Sequence, residues 1–222
     1  MSFLTRMPLN PARRGTRSLL ASPQSMHAAV LASFPPDVGT DDSEGRVLWR
    51  VDRDTPHEVY LYLCSPRRPD LTHLVEQAGW PTSSSWQTRD YAPLLDRLAV
   101  GQRWAFRITA NPVRRVRDEK HPDRGAVRAH VTASQQVEWL VSHAAAAGFA
   151  VPQTPDGQAA VQVAERSVRT FARQTAMVTV ATARFDGVLE VRDDTLLRRT
   201  LIAGLGRAKS YGCGLLTLAA PA

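Results

Sequence analysis

A chain of 222 residues has room for one large domain or two of roughly 100 residues each, and at 43% hydrophobic composition it can bury substantial cores. A formal charge of +7, from 28 Lys and Arg against 21 Asp and Glu, and a pI near 10.2 rest almost wholly on arginine. Its planar fork grips phosphate and stacks on bases, which points to a polyanionic partner, although a high-GC genome also enriches arginine. Cys64 and Cys213 are too few for a disulfide framework, the opening Met-Ser-Phe-Leu-Thr-Arg has no apolar signal core, and no run approaches the roughly 18 apolar residues that span a bilayer. These features exclude a disulfide scaffold and a membrane partner, and predict a cytoplasmic protein with reduced thiols.

Phe3 to Leu9 alternates apolar and polar residues, which predicts a strand ended by Asn10-Pro11, followed by a basic connection carrying Arg13, Arg14 and Arg17. Ser22-Pro23 marks a helix start, with a capping hydroxyl and a proline where no donor is needed. That helix runs to about Phe34, with Met26, Val30 and Phe34 as its core stripe, and Pro35-Pro36 stops it. Val38 to Gly45 reads as a polar, acidic loop. Val47 to Arg53 and Glu58 to Ser65 predict paired strands turned by Asp52 to Pro56. Asp70 to Ala78 predicts a short helix, and Ser84 to Tyr91 a weak strand. The order strand, helix, strand, strand, helix, strand is that of a ferredoxin-like unit.

Pro93 to Gly101 is the expected joint, after which the order returns. Arg103 to Ala110 is a strand that Asn111-Pro112 breaks; an arginine-rich excursion with Arg114, Arg115, Arg117, Lys120, Arg124 and Arg128 follows. Thr132 to Ala147 is helical, Gln162 to Arg173 and Met177 to Val191 are strands, the second broken at Asp186-Gly187, and Asp193 to Ala203 and Cys213 to Leu218 are the last helix and strand. The fold class expected is α+β: two tandem ferredoxin-like (RRM-like, βαββαβ) domains with antiparallel sheets, residues 1–96 and 97–222. No sequence repeat is visible between them.

Three features carry candidate chemistry. The run Gly204-Leu205-Gly206-Arg207-Ala208-Lys209-Ser210-Tyr211-Gly212-Cys213-Gly214 places four glycines around two cations and feeds an apolar strand. Such a backbone can bring N–H groups to a phosphate, with Arg207 and Lys209 supplying charge; the plain alternative is a tight helix-to-strand turn. His27, at the flank of the capped helix's core stripe and placed in its first turn, would feel the positive end of the helix dipole, which favours the neutral, proton-accepting ring of a general base. The plain alternative there is a packing histidine. In the basic excursion, Val113, Val116, Ala126 and Val127 alternate with arginines, which predicts an apolar face and an arginine face, and Arg166, Arg169 and Arg173 could project to one side of a strand. Both regions suit phosphate contacts along RNA. No histidine shows a metal-ligand spacing, and neither a metal nor another cofactor is expected.

Asn10-Pro11, the Ser22 to His27 segment, Phe106 to Pro112, Phe185 to Leu189 and the Gly204 to Leu216 loop together resemble one family, the CRISPR repeat-RNA endoribonucleases of the Cascade type called CasE. The resemblance covers essentially the whole chain in the right order. It implies a tandem ferredoxin-like fold that binds the stem-loop of a repeat in precursor CRISPR RNA and cuts at its 3′ base without metal. In that reaction a ribose 2′-hydroxyl attacks the adjacent phosphorus, leaving a 2′,3′-cyclic phosphate and a 5′-hydroxyl, and the enzyme stays on its product as a subunit among the other Cascade subunits. The free protein is expected to be monomeric. His27 falls on the family's catalytic histidine, with Gln24 and Ser22 as active-site support. Relatives commonly carry a tyrosine where Gln24 stands, and an amide cannot exchange a proton as a phenol can. Position 207 also departs, since proline is common there, while Lys209 keeps the family's lysine.

Overall fold

The computed structural model describes residues 1–36, 46–81, 86–116, 126–173 and 176–221. The acidic loop expected over residues 38–45, and Arg117, Lys120 and Arg124, lie outside the described residues.

Strand β1 (Phe3–Leu9) pairs antiparallel with β3 (Val59–Ser65) on one side and β4 (Gln87–Asp90) on the other, and β2 (Leu48–Arg53) extends the sheet beyond β3. The order β2-β3-β1-β4 is the ferredoxin-like arrangement. Met7, Leu9, Leu61 and Leu63 are fully buried on one face, as period-2 alternation requires. Against that face pack α1 (Arg14–Ala21), α2 (Pro23–Leu31) and α3 (Thr72–Ala78). The basic connection is therefore a helix. Its first turn lacks an acidic residue and Arg13 makes no side-chain cap, so local signals are weak; tertiary packing forms it, through buried Thr16 and Leu19 and a hydrogen bond from the Thr16 hydroxyl to the Ala78 carbonyl at 3.0 Å. Turns carry the chain from α2 as far as Phe34, where the sequence places the stop.

The short helix α4 (Ala92–Asp96) forms the joint. Beyond it come β5 (Arg103–Ala110), the hairpin β6 (Val113–Val116) and β7 (Ala126–Ala129), α5 (Ala133–Ala144), β8 (Phe149–Ala150), the long hairpin β9 (Val161–Arg173) and β10 (Ala176–Val191), α6 (Asp194–Ala203) and β11 (Leu216–Ala219). In the second sheet β11, β5 and β10 are neighbours, and β9 and β8 both pair with the far side of β10. With β8 set aside, β5, β9, β10 and β11 are the second unit's four main strands, and both sheets then run fourth, first, third, second. β10 passes through Asp186-Gly187 without a break, with only a register shift against β9 between Arg184 and Phe185; pairing on both edges holds it straight. β11 starts at Leu216, and Cys213 to Leu215 approach it as buried coil.

One core lies beneath the first sheet. The other, built on Phe106, Ile108, Phe149, Phe185 and Leu197, also takes in Leu48 and Cys64 from the first sheet and Tyr91 just beyond it. Alternation along β2 does this, sending Trp49 into the first core and Leu48 into the junction. A polar clamp crosses the same junction. Arg50, 2% exposed, donates twice to Asp52 (2.6 and 2.9 Å), to the Arg107 and Leu215 carbonyls (2.9 and 2.8 Å) and to the Thr217 hydroxyl (2.9 Å). Arg198 holds the joint through the Leu95 and Leu98 carbonyls. No helix among the described residues is long and apolar enough to cross a membrane.

Candidate active site

The Ser22 hydroxyl accepts from the Ser25 amide at 3.2 Å and Pro23 opens α2, so Ser22 acts as the helix cap. His27 is then the fifth helical residue, in the second turn rather than the first. The dipole fades within the first turn, so the end of the helix acts on this ring less than its sequence position suggested. What orients the ring comes from another strand: Trp49 Nε1 donates to His27 Nδ1 at 3.4 Å. An indole can only donate. Nδ1 must accept, and the neutral ring carries its proton on Nε2.

The helix that presents His27 is held from several sides. His73 Nε2 on α3 bonds the Ala29 carbonyl at 3.0 Å, β9 touches α2, and Arg169 Nη1 on β9 donates to the Leu20 carbonyl at 2.8 Å, at the bend between α1 and α2. The turn Lys209–Tyr211 of the glycine-rich loop packs on α2 from the second unit. His27 and Gln24 are both half-buried, three residues apart.

Gly204, Gly206, Gly212 and Gly214 all have positive φ, from 76 to 90°. At Gly212 a Cβ would lie 2.7 Å from Cζ3 of Trp49, and at Gly204 one would lie 2.9 Å from a Leu48 methyl, so the loop seats its backbone directly on β2. The amides of Gly204, Leu205, Tyr211, Gly212 and Gly214 are all spent on protein carbonyls. They are not available to cradle a phosphate; Arg207 is exposed and Lys209 half-buried.

The arginines separate into two groups. Arg13 donates to the Val75 and Gly79 carbonyls at the end of α3, and Arg17 to the Ala12 carbonyl, so Arg13 serves the fold. Arg14 is exposed on α1. On the β6–β7 hairpin, Arg114 stands directly opposite Arg128, and Arg115 opposite Val127. The expected arginine face does not form: alternation sends Arg114 and Arg128 one way and Arg115 the other, each face mixing cation with apolar side chain. Like charges directly opposite repel, a cost that an intervening phosphate would remove. Arg166 and Arg169 are three residues apart on an unshifted stretch of β9 and so point to opposite faces, not one: Arg166 donates to the Val131 carbonyl, Arg169 to the first unit. Arg173 is the last residue of β9.

Sequence reasoning missed Trp49 as the partner of His27, because nothing in a spacing of 22 residues links an indole to an imidazole. It also missed the junction charges. Arg107 bonds Asp186 and Asp54 at 2.7 Å and Asp52 at 3.4 Å; burial disfavours its cation, but the three carboxylates overcome this and hold it charged well above the usual arginine range. Cys213, inside the loop, and Cys64 are buried thiols pushed up to about 12 by desolvation. Among the described residues no three His, Cys, Asp or Glu side chains converge as metal ligands.

A family model described as CRISPR associated protein matches residues 2–220. The chain is 30% identical to the CRISPR-associated endoribonuclease Cse3 of Thermus thermophilus over 98% of its own length and 99% of the relative's. To the Escherichia coli CRISPR system Cascade subunit CasE it is 28% identical, over 78% of this chain and 88% of that one. Among solved structures, Thermus thermophilus Cse3 bound to an RNA representing a pre-cleavage complex superposes with a TM-score of 0.78 at 29% identity, covering 98% of both chains. A family match over nearly every residue, together with the shared tandem fold, places this chain in the CRISPR-associated protein family, as a member of its CasE/Cse3 branch.

Proposed function

We propose that this protein is an endoribonuclease that binds the repeat stem-loop of precursor CRISPR RNA, cuts at its 3′ base without metal, and stays on the product as a Cascade subunit in the cytoplasm. The reading rests on the relatives, one named an endoribonuclease and one a Cascade subunit. The observation that carries it in this chain is His27: a half-buried imidazole whose orientation is fixed by Trp49, at the junction of two units of which the second bears an exposed arginine hairpin. The division we propose, residues 1–96 with His27 and 97–222 with the basic surface, follows the two sheets.

In this chemistry the 2′-oxygen bonds to phosphorus as the bond to the 5′-oxygen breaks, giving a 2′,3′-cyclic phosphate and a 5′-hydroxyl. Many phosphate contacts to the stem fix an in-line geometry, so that only proton transfer is local. The nitrogen of His27 with a lone pair is Nδ1, held by the indole at 3.4 Å in the RNA-free protein. A 2′-hydroxyl that displaces this bond leaves the buried indole N–H without a partner, a cost of about 1–3 kcal/mol, against a general-base contribution of about 10² to 10⁴ in rate, or about 3–5 kcal/mol. Wild-type protein in EDTA should cleave a repeat hairpin to products with cyclic-phosphate ends, and His27→Ala should lose about 10² or more in rate while keeping hairpin affinity. Full activity in that variant defeats the assignment.

A second reading, a non-catalytic RNA-binding assembly subunit, is favoured by one residue: Gln24 has no proton to exchange. A shifted but uncut band with wild-type protein would select it.

A further inference from the structure

A cleft of about 380 Å³ opens between the units beside His27. Trp49 and Met26, bonded to His27 and preceding it in the chain, both line it. Its wall chemistry is unlike that of either core: Arg17, Arg53, Arg169 and Arg184 project around Trp49 and Tyr211. Tyr211 is half-buried and meets Phe171 edge-on, with ring centroids 4.9 Å apart.

Arg184 is the informative member. Its Nε and Nη1 are buried and make no hydrogen bond. Asp54, Asp186 and Glu165 stand at 3.7, 3.6 and 3.9 Å, close enough to balance charge and too far to take the donors. Nε and Nη1 are sealed from the cleft, and the 15% of the side chain that stays exposed is the edge a ligand can meet; an anion there would gain a charge-assisted contact with a cation whose carboxylates stand just out of hydrogen-bond reach. The half-buried Tyr211 ring gives the same cleft an aromatic surface, and its volume lies in the range of small-ligand sites. Aromatic rings beside arginines are the chemistry of unpaired nucleotides, with the base on the rings and the phosphate on the guanidinium.

We propose that this cleft is a subsite for the unpaired nucleotide on the 3′ side of the scissile phosphate. The inference rests on the endoribonuclease reading and adds to it a division of labour: the stem is gripped elsewhere, while the strand beyond the cut is drawn past His27 and over Tyr211 into the cleft. Cleavage separates the two, so the flank loses its tether and leaves while the stem remains bound.

The test uses the His27→Ala protein, so that no RNA is cut, and measures the dissociation constant for a repeat hairpin ending at the cut, the same hairpin with a short unpaired 3′ flank, one with an abasic 3′ flank, and one with a 5′ flank instead. The 3′ flank should tighten binding about tenfold, the abasic flank less, and the 5′ flank not at all. Arg184→Met should remove the gain without weakening the blunt hairpin. Arg53→Gln, at an exposed position on the cleft lining, should reduce it with no disturbance to the junction carboxylates. Equal affinity for blunt and 3′-flanked hairpins overturns the proposal, as does a gain that survives both substitutions, which would leave the cleft to a protein segment. No binding to the blunt hairpin would overturn the parent reading as well.

Discussion

The Arg50 clamp offers a sharp test of how the two units are held. Arg50→Met keeps the bulk of the stem and deletes five hydrogen bonds. Asp52, 3% exposed, is then left with Arg107 at 3.4 Å, a carboxylate buried without its main counter-ion, while the carbonyls of Arg107 and Leu215 lose a donor. Breaking a buried pair from one side costs about 3–5 kcal/mol, a large share of a typical stability of about 5–15 kcal/mol. Asp52→Leu alone leaves the guanidinium with two carbonyls and a hydroxyl, a comparable loss. Removing both partners leaves no buried charge in the pair, so Arg50→Met with Asp52→Leu should cost about as much as one single change, with a coupling of at least about 2 kcal/mol. Urea unfolding followed by tryptophan fluorescence measures all four proteins. Strictly additive losses, or an Arg50→Met change below about 1 kcal/mol, would show that the junction is apolar in its energetics and the clamp incidental.

Other outcomes follow from single positions. Gly212→Ala must adopt φ near +80° and place a Cβ 2.7 Å from Trp49, costing about 1–2 kcal/mol for the left-handed backbone and about 1–3 kcal/mol for overpacking. Gly101→Ala has φ +85° and nothing within 4 Å, so it should show the first cost alone; thermal melts that rank the two equally would contradict the seating of the loop on the indole. RNA affinity should fall steeply with salt, and Arg128→Gln, by removing one side of the Arg114–Arg128 pair, should flatten the slope of log K against log salt by about 0.7 to 0.9; an unchanged slope removes that arginine from the phosphate contacts. With thiols at about 12, the thiolate fraction at pH 8 is about 10⁻⁴, so neither Cys64 nor Cys213 should alkylate in the folded protein, while both react in urea; labelling of the native protein, read by mass, would count against their burial.

What could be read from the sequence was whatever a period of 2 or 3.6 encodes locally. Strand β5 was legible to the residue because Trp104, Phe106 and Ile108 alternate with Arg103, Arg107 and Thr109, and α5 because Val137, Leu140, Val141 and Ala144 recur on one face. α1 was not, since Arg14 to Ala21 lacks a cap and forms by leaning on α3. Arg50 sits at a position that alternation assigns to the outer face of its sheet, and that assignment holds; the outer face is buried because the second unit covers it. No window of one unit's sequence contains that fact. The same applies at the site, where His27 was visible from its flank position on a capped helix, whereas Trp49, 22 residues away, becomes its partner only when β2 and α2 meet.

The glycine-rich loop illustrates how composition and geometry can point to different roles. Four glycines and two cations suggest a cradle for phosphate, but a cradle requires unpaired amides aimed at one point, and at Gly204, Gly212 and Gly214 the amides are spent on carbonyls, with Gly214 N bonded to the Thr109 carbonyl of β5 at 2.7 Å. Gly204 and Gly212 answer a steric demand instead: only a residue without Cβ lets this backbone lie on Leu48 and Trp49. The indole so seated from the second unit is the one that donates to His27. A single side chain therefore touches the loop, the cleft and the imidazole, and any displacement of the second unit relative to the first is transmitted to the ring through one rigid body rather than through a chain of contacts. The junction is accordingly part of the site, and a stability defect there and a catalytic defect at His27 should appear together.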